Sequence, residues 1–329
     1  MKILVLYSYE EKSQNVPEGK IGTADLAIVE TLRLLGHDVE FRKIDFANVP
    51  YADDYDVVFN MCDSFDYSLD EPRVPRGLRT QGVAYTGNDA ETILLCNDKS
   101  ICKEFLIRKG VRTPQFQVFE SAKDQLNCQL RFPLIVKPVH EDASNGIDED
   151  SVVFDEERLR KKVIGVIELF NQPALVEEYI DGREFCVPVI GNENPQVLPV
   201  LEIDYSEAYF ENKPKHLSFK AKWSKQSNAF KNTYSIVAKD VPSDLRKRIE
   251  ETAKKAYLAL RMHGYGSVDM RVDNLGNVFV LEVNPNCYIA PEADSVKAAK
   301  AAGLEYPIFL QKIAQLALAR KQIEVILQH

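Results

Sequence analysis

The strongest constraint on the fold is a β-hairpin pattern in the last quarter of the chain. Polar and apolar side chains alternate through residues 267–273, which would place Asp269 and Arg271 on one face of a strand. Turn-forming residues at 274–277 interrupt the alternation, and a second alternating stretch follows at 278–283. The segment therefore predicts two antiparallel strands joined by a short turn.

This hairpin also gathers the side chains of a cation site. It would bring Asp269 beside Glu282, with Asn284 just beyond the second strand. Two carboxylates and an amide oxygen suit a hard divalent cation that takes its other ligands from phosphate and water. Charges on an exposed hairpin usually face solvent only, but the apolar neighbours Val268 and Phe279 indicate central strands whose carboxylates need compensation. We therefore predict a magnesium–phosphate site.

Composition and charge exclude several classes of protein. The 329 residues suit two or three modules, and 45% apolar with 28% charged residues is typical of soluble proteins. A net charge of −9 disfavours nucleic acid or an anionic membrane as the main partner. The sequence contains no apolar run long enough for a membrane span, no signal-peptide pattern and no Cys-x-x-Cys pair among its six cysteines. We expect a cytoplasmic protein with reduced thiols.

Strands and helices alternate in the first 95 residues. Strands are predicted at 2–8, 38–44, 55–61 and 83–86, and helices at 23–35 and 75–81. Such alternation predicts a parallel sheet covered by helices, with ligands beyond the carboxyl ends of its strands. The polar loops at 7–22 and 60–76 are candidate substrate walls, although plain surface loops would have the same composition.

Further along, an apolar strand predicted at 133–137 ends in Lys137, which would bury its stem and deliver its ammonium group to a site. The polar loop that follows, 139–146, could lay backbone amides over phosphates. Backbone donors and acceptors at the edge of a strand predicted at 174–179 could bind adenine, and Glu184 could bind the ribose hydroxyls. A surface hairpin would have a similar sequence.

Together these motifs resemble the ATP-grasp superfamily and, within it, the D-alanine–D-alanine ligase-like branch. The resemblance covers nearly the whole chain, and its motifs are Asn97-Asp98-Lys99, LIVKP with Lys137, EEYIDGREF, VDMRVD with Asp269, and LEVNPN with Glu282 and Asn284. It implies an α/β (α+β) fold with an N-terminal parallel α/β domain at 1–95 and two ATP-grasp subdomains at 96–180 and 181–329. A mobile loop would occupy 205–239, where the sequence alone predicts a lid or a disordered segment.

The resemblance also implies ATP as the nucleotide, with two Mg²⁺ ions for which Mn²⁺ could substitute. Its implied contacts are Lys99, Lys137, Ser144 and Lys222 with phosphates, Glu177, Glu178 and Ile180 with adenine, Glu184 with ribose, Trp223 as the aromatic partner of Lys222, and Asp269, Glu282 and Asn284 with metal. Besides binding ATP, Ser144 and Lys222 are expected to assist catalysis.

The sequence departs from the family pattern at the substrate end. Ser267 stands where these ligases carry an arginine that stabilises the oxyanion, and we predict that Arg271, on the same strand face, substitutes for it. Ala293-Asp294 replaces the Ser-Leu pair that grips the acceptor carboxylate. We therefore predict Tyr288, Glu292 and Asp294 as substrate residues, and the two acids Glu292 and Asp294 suggest a cationic acceptor. Candidates for the glutamate of the first substrate site are Glu10, Glu11 and Glu18.

The expected function is an ATP-dependent carboxylate–amine ligase that joins small, amino-acid-like molecules through an acyl phosphate. Its partners would be a small carboxylate and a small amine, with no nucleic acid and no membrane, and the resemblance implies a homodimer. A lid would keep water from the acyl phosphate. Two alternatives stay open: a D-alanine–D-alanine ligase with an altered acceptor pocket, and a regulatory protein that binds ATP without ligating.

Overall fold

A three-stranded parallel sheet opens the chain, in the strand order β2–β1–β3. The computed structural model describes residues 1–8, 23–62 and 70–327. The elements of this part are β1 (Lys2–Tyr7), α1 (Thr23–Leu34), β2 (Asp38–Lys43), β3 (Val57–Met61), α2 (Arg73–Thr80) and α3 (Ala90–Asn97). The parallel α/β prediction is confirmed, whereas the strand predicted at 83–86 is only an isolated bridge between Val58 and Tyr85. Helix α3 was not predicted; Asp98, which follows it directly, caps the next helix by accepting hydrogen bonds from the amides of Ser100 and Ile101.

A four-stranded antiparallel sheet follows, in the order β4–β7–β5–β6. Its elements are α4 (Lys99–Arg108), β4 (Phe116–Phe119), β5 (Leu134–Pro138), β6 (Val152–Val153), α5 (Glu156–Phe170) and β7 (Ala174–Glu178). Helix α5 buries Leu159, Val163 and Val166 against the sheet, since their spacing places them on one helix face. Asp155 begins this helix by accepting a hydrogen bond from the amide of Arg158.

The largest sheet has six strands, in the order β11–β10–β8–β12–β13 with β9 paired to β8. Its elements are β8 (Gly182–Ile190), β9 (Gln196–Val197), β10 (Leu201–Tyr205), α6 (Glu207–Phe210), α7 (Phe219–Trp223), α8 (Asn228–Lys231), β11 (Thr233–Val237), α9 (Ser243–Ala259), β12 (Tyr265–Asp273) and β13 (Val278–Asn284). Two further helices, α10 (Asp294–Ala301) and α11 (Tyr306–Leu327), end the chain. No helix in the described ranges is long and apolar enough to cross a membrane.

Strands β9 and β10 are separate, because Pro199 lies between them and has no amide hydrogen for a ladder. One prediction for this sheet was wrong. The segment predicted as a mobile loop at 205–239 contains three short helices and the edge strand β11, which pairs with β10. A lid at this position is therefore built on regular structure.

The first sheet and the last helices share one hydrophobic core, to which β1, α1, α10 and α11 all contribute. Asn88 makes a second connection between the N-terminal part and the rest of the chain. Its side chain donates hydrogen bonds to the carbonyl oxygens of Tyr265 and Pro285 and accepts one from the amide of His263. The neighbouring Gly87 has φ +81°, and a Cβ there would clash with Asn286. The N-terminal part is thus attached to both ends of the β12–β13 hairpin. The proposed boundaries at 95 and 180 stay a prediction.

Candidate active site

The β12–β13 hairpin places its two carboxylates directly opposite each other. Asp269 pairs in register with Glu282, and Ser267 pairs with Asn284. The register shifts immediately after Asp269, so Leu281 is the extra residue of a bulge on β13. The predicted pairing of Asp269 with Glu282 is confirmed, and the alternation of the sequence was sufficient to predict it.

The chemistry of this hairpin suits a divalent cation. Burial raises the pKa of Asp269 to about 7, and the adjacent charge of Glu282 adds to the rise. Asn284 Nδ2 donates to Asp269 Oδ2 at 3.0 Å, so the amide lies beside both carboxylates. No group of three Asp, Glu, His or Cys side chains in the described ranges could hold a metal by itself. Two carboxylates and an amide therefore fit an ion whose remaining ligands are phosphate and water.

Three ammonium groups surround Glu282. Burial opposes ionisation of Glu282, but the charges of Lys99, Lys137 and Lys222 lower its pKa. Lys99 Nζ lies 3.3 Å from Glu282 Oε1 and also donates to the carbonyl oxygen of Glu141. The predicted phosphate lysines and the predicted metal ligands thus meet at one place.

One of these three lysines, Lys137, also belongs to a buried network of ion pairs. Glu177 Oε1 lies 2.5 Å from Lys137 Nζ, and Glu177 Oε2 lies 2.9 Å from Lys103 Nζ. All three residues are buried. Burial opposes ionisation of Glu177, but the two lysines lower its pKa, whereas burial lowers the pKa of Lys103. Sequence reasoning missed Lys103, although its position one helical turn after Lys99 is a usable signal.

A cavity between the second and third sheets encloses about 740 Å³, including solvent at its mouth. The predicted residues that line it are Lys137, Ser144, Glu177, Glu178, Ile180, Glu184, Lys222, Asp269, Arg271, Glu282 and Asn284. Tyr179, His216 and Leu217 also line it and were not predicted. Residues that lie far apart in sequence therefore form one wall.

A second cavity of about 460 Å³ adjoins the first, because Glu282 and Asn284 line both. Lys99 lies in this second cavity, together with Glu71 from the N-terminal part. Asn97 Nδ2 donates to Glu71 Oε2 at 3.4 Å. Glu71 was missed as an individual residue, although it falls in the loop at 60–76 predicted as a substrate wall.

The segment that follows α6 contacts the loop predicted to cover phosphates. Trp223 Nε1 donates to the carbonyl oxygen of Ala143 at 2.9 Å, and the amide of Phe219 donates to that of Ile147 at 2.9 Å. Ala143 and Ser144 have φ values of +50° and +63°, which non-glycine residues adopt mainly where the surroundings impose them. The predicted lid and the predicted phosphate loop therefore form one hydrogen-bonded cover over the first cavity.

Comparison with known proteins identifies the family. Residues 105–315 match the family model described as D-ala D-ala ligase C-terminus, which is more than half of the chain. The chain belongs to the D-alanine–D-alanine ligase family.

Individual relatives agree with this assignment. The chain is 30% identical over 322 residues to an uncharacterized protein, y4sG, of Sinorhizobium fredii, covering 95% of this chain and 91% of that protein. It is 30% identical over 254 residues to a D-alanine–D-alanine ligase of Carboxydothermus hydrogenoformans, covering 74% and 76%. A crystal structure of the Bacillus anthracis D-alanine–D-alanine ligase complexed with ATP matches with a TM-score of 0.72 at 22% identity, covering 98% and 99%. The fold is therefore ATP-grasp, and the chain is an ATP-dependent ligase of a family that uses ATP and divalent metals.

Within this ligase, Arg271 is on the predicted strand face but has unexpected partners. Its guanidinium donates to Glu184 Oε2, to the carbonyl oxygen of Ile180 at 2.7 Å and to that of Lys215. These acceptors lie at the end of the cavity bordered by Ile180, away from Ser267. The role of oxyanion stabiliser predicted for Arg271 therefore has no support in its contacts.

The substrate residues predicted for this ligase lie outside both cavities. Tyr288 Oη donates to Glu292 Oε1 at 3.3 Å, and Asp294 Oδ1 pairs with Lys297 Nζ at 3.1 Å. Lys297 already neutralises Asp294, which leaves Glu292 as the stronger candidate for a cationic group. The glutamates predicted at 10, 11 and 18 lie outside the described residues.

Proposed function

We propose that the chain is an ATP-dependent carboxylate–amine ligase that joins small, amino-acid-like molecules through an acyl phosphate. One observation carries the proposal: a cavity with a nucleotide-like lining and a second, smaller cavity meet at Glu282 and Asn284. A phosphate bound beside these residues would be reachable from both cavities. That arrangement is what transfer of a phosphoryl group from one ligand to another requires.

Phosphate binding would use the cluster around Glu282. Lys99, Lys137 and Lys222 would neutralise the triphosphate, and Asp269, Glu282 and Asn284 would hold two Mg²⁺ ions, which neutralise charge that develops during transfer. Mn²⁺ could substitute, since it takes the same oxygen ligands. Asp269 is buried and is repelled by the charge of Glu282, so bound cations would stabilise the ionised form of both carboxylates.

The reaction has two steps. A substrate carboxylate oxygen attacks the γ-phosphorus of ATP, the bond to the β-phosphate oxygen breaks, and ADP leaves. The amine then attacks the acyl carbon, inorganic phosphate leaves, and the amine proton passes to solvent or a nearby base. The cover formed by Trp223, Ala143 and their neighbours would exclude water, which otherwise hydrolyses the acyl phosphate.

Phosphate release tests the proposal. The chain would be incubated with ATP, Mg²⁺ and pairs drawn from a panel of amino acids and amines, and we expect release that depends on both a carboxylate and an amine. Release that requires D-alanine alone would favour a D-alanine–D-alanine ligase, the activity named for several relatives. Tight ATP binding without release for any pair would favour a regulatory protein and would contradict the proposal.

A further inference from the structure

Arg271 and Glu184 form a buried pair in the wall of the first cavity. They lie directly opposite each other on β12 and β8. Arg271 is 3% exposed and Glu184 is 8% exposed. Arg271 Nη2 and Nε donate to Glu184 Oε2 at 2.7 and 3.1 Å. Both residues line the cavity, so the pair is close to any ligand bound there.

The hydrogen bonds to Glu184 are distributed unequally between its two oxygens. Tyr205 Oη also donates to Oε2, at 2.7 Å, so three donors converge on that oxygen. Within the parts of the chain that the structure describes, Oε1 has no hydrogen bond. One carboxylate oxygen is therefore held in place, and the other is available to a hydroxyl group of a ligand.

A second arginine–glutamate pair shows what a purely structural pair looks like here. Arg183 on β8 donates to both oxygens of Glu202, at 2.6 and 2.7 Å. Arg183 is about a third exposed, and neither residue lines a cavity described above. Both oxygens of that carboxylate are used, whereas Glu184 keeps one for another partner.

Arg271 also joins segments that a nucleotide would contact. It donates to the carbonyl oxygen of Ile180, in the link between β7 and β8, and to that of Lys215, four residues before α7. Tyr179 Oη donates to the same Lys215 oxygen at 2.8 Å, and the guanidinium lies 4.9 Å from the Tyr179 ring centroid. The Arg271 side chain thus holds together the link between β7 and β8, the Glu184 carboxylate and the segment that precedes α7.

We propose that Arg271 is a positioning residue that fixes Glu184 so that Oε1 accepts hydrogen bonds from the ribose hydroxyls of the nucleotide. It acts through Glu184 and touches neither the phosphates nor the reacting atoms. This inference rests on the proposed function, because it assumes a nucleotide in the first cavity. It replaces the oxyanion role that the strand pattern suggested for the same residue.

The test compares ATP with 2′,3′-dideoxy-ATP, which lacks both ribose hydroxyls. Binding of each nucleotide with Mg²⁺ would be measured by calorimetry, without carboxylate or amine, so that catalysis does not enter. We expect the unaltered chain to prefer ATP by roughly 10-fold or more, since hydrogen bonds to a charged acceptor are strong. Arg271→Met should lose most of that preference, and Arg271→Lys should keep part of it.

Arg183→Met is the matched control, because it removes an arginine–glutamate pair from the same sheet without touching the cavity. It should keep the preference of the unaltered chain. If Arg271→Met does not fold, Arg271→Lys provides a milder test, since it keeps the positive charge but loses the paired guanidinium donors to Glu184 Oε2 and should reduce the preference partially.

The outcomes separate this inference from the proposed function. If the unaltered chain binds neither nucleotide, the proposed function fails. If it binds both equally, or if folded Arg271→Met or Arg271→Lys retains its full preference for ATP, the positioning role is overturned while the proposed function stands.

Discussion

The nucleotide end proposed for this site is built differently from its predicted substrate end, whose residues lie outside both cavities. At the nucleotide end, Glu177 and Lys137 are buried side chains on paired strands, and the register between β5 and β7 determines where they meet. At the substrate end, Tyr288 is 44% exposed and Glu292 and Asp294 lie after the last strand. Strand pairing therefore determines one end, whereas connecting segments and helix starts determine the other.

The difference shows where a ligase of this family can change its substrates. Moving a residue such as Glu177 would leave buried lysines uncompensated, which is costly in a low-dielectric interior. Replacing an exposed residue such as Glu292 affects few neighbours and costs little stability. Conserved nucleotide chemistry with variable acceptors is thus the expected behaviour of this architecture.

The largest effect is expected from a substitution at the nucleotide end, Glu282→Gln. Glu282→Gln keeps the shape of the side chain but removes the charge between Lys99, Lys137 and Lys222. We expect turnover to fall by roughly 10²–10³-fold and the Mg²⁺ requirement to rise, because the negative charge proposed to hold the metal is lost. Phosphate release measured against Mg²⁺ concentration checks this result.

Glu202→Gln is the control for that change, since it removes a carboxylate from the same sheet outside both cavities. Its turnover should stay within about twofold of the unaltered chain, as expected for a partly exposed pair. Equal losses in the two variants would mean that charge at Glu282 has no special role.

An intermediate effect is expected at the substrate end. If the acceptor amine carries a second positive charge, Glu292→Gln should raise its KM by roughly 5–10-fold and leave the affinity for ATP unchanged. Asp294→Asn should have less effect, because Lys297 already pairs with Asp294. Steady-state kinetics with cationic and neutral acceptors, with Glu193→Gln as an exposed control, check the ranking. An equal KM change for neutral acceptors would contradict an electrostatic role.

The smallest effect concerns the stability of the fold around Asp25, in the first turn of α1. Burial raises the pKa of Asp25 to about 6, above its unfolded value of about 3.9. The native state then holds the extra proton between about pH 4 and pH 6, so the free energy of unfolding falls as pH rises through that window. Asp25→Asn should remove this dependence and be more stable above pH 6 by roughly 1 kcal/mol, allowing for solvent screening.

Denaturant unfolding at several pH values measures this difference, and Asp38→Asn is the control because that residue is exposed. An unchanged pH profile in Asp25→Asn would show that this carboxyl group titrates normally in the folded state.

Sequence reasoning succeeded where the chemistry depends on short-range pattern. Alternation predicted the β12–β13 hairpin and the pairing of Asp269 with Glu282. It also placed Arg271 on the correct strand face, but the partner that decides its role, Glu184, lies 87 residues away. Lys103, on α4, was missed although it follows Lys99 by one helical turn, because its partner Glu177 lies on β7. Partners that meet only in the folded chain leave no local pattern.

The hydrogen bonds of Asn88 bear on how the chain can be divided. This asparagine and Gly87 belong to the N-terminal part, yet they contact Tyr265, Pro285 and Asn286, where the chain enters and leaves the β12–β13 hairpin. Arg320, near the other terminus, donates to the carbonyl oxygen of Gly87 at 2.7 Å. A shortened chain that begins after residue 95 would lose these hydrogen bonds, which support the hairpin that carries Asp269 and Glu282.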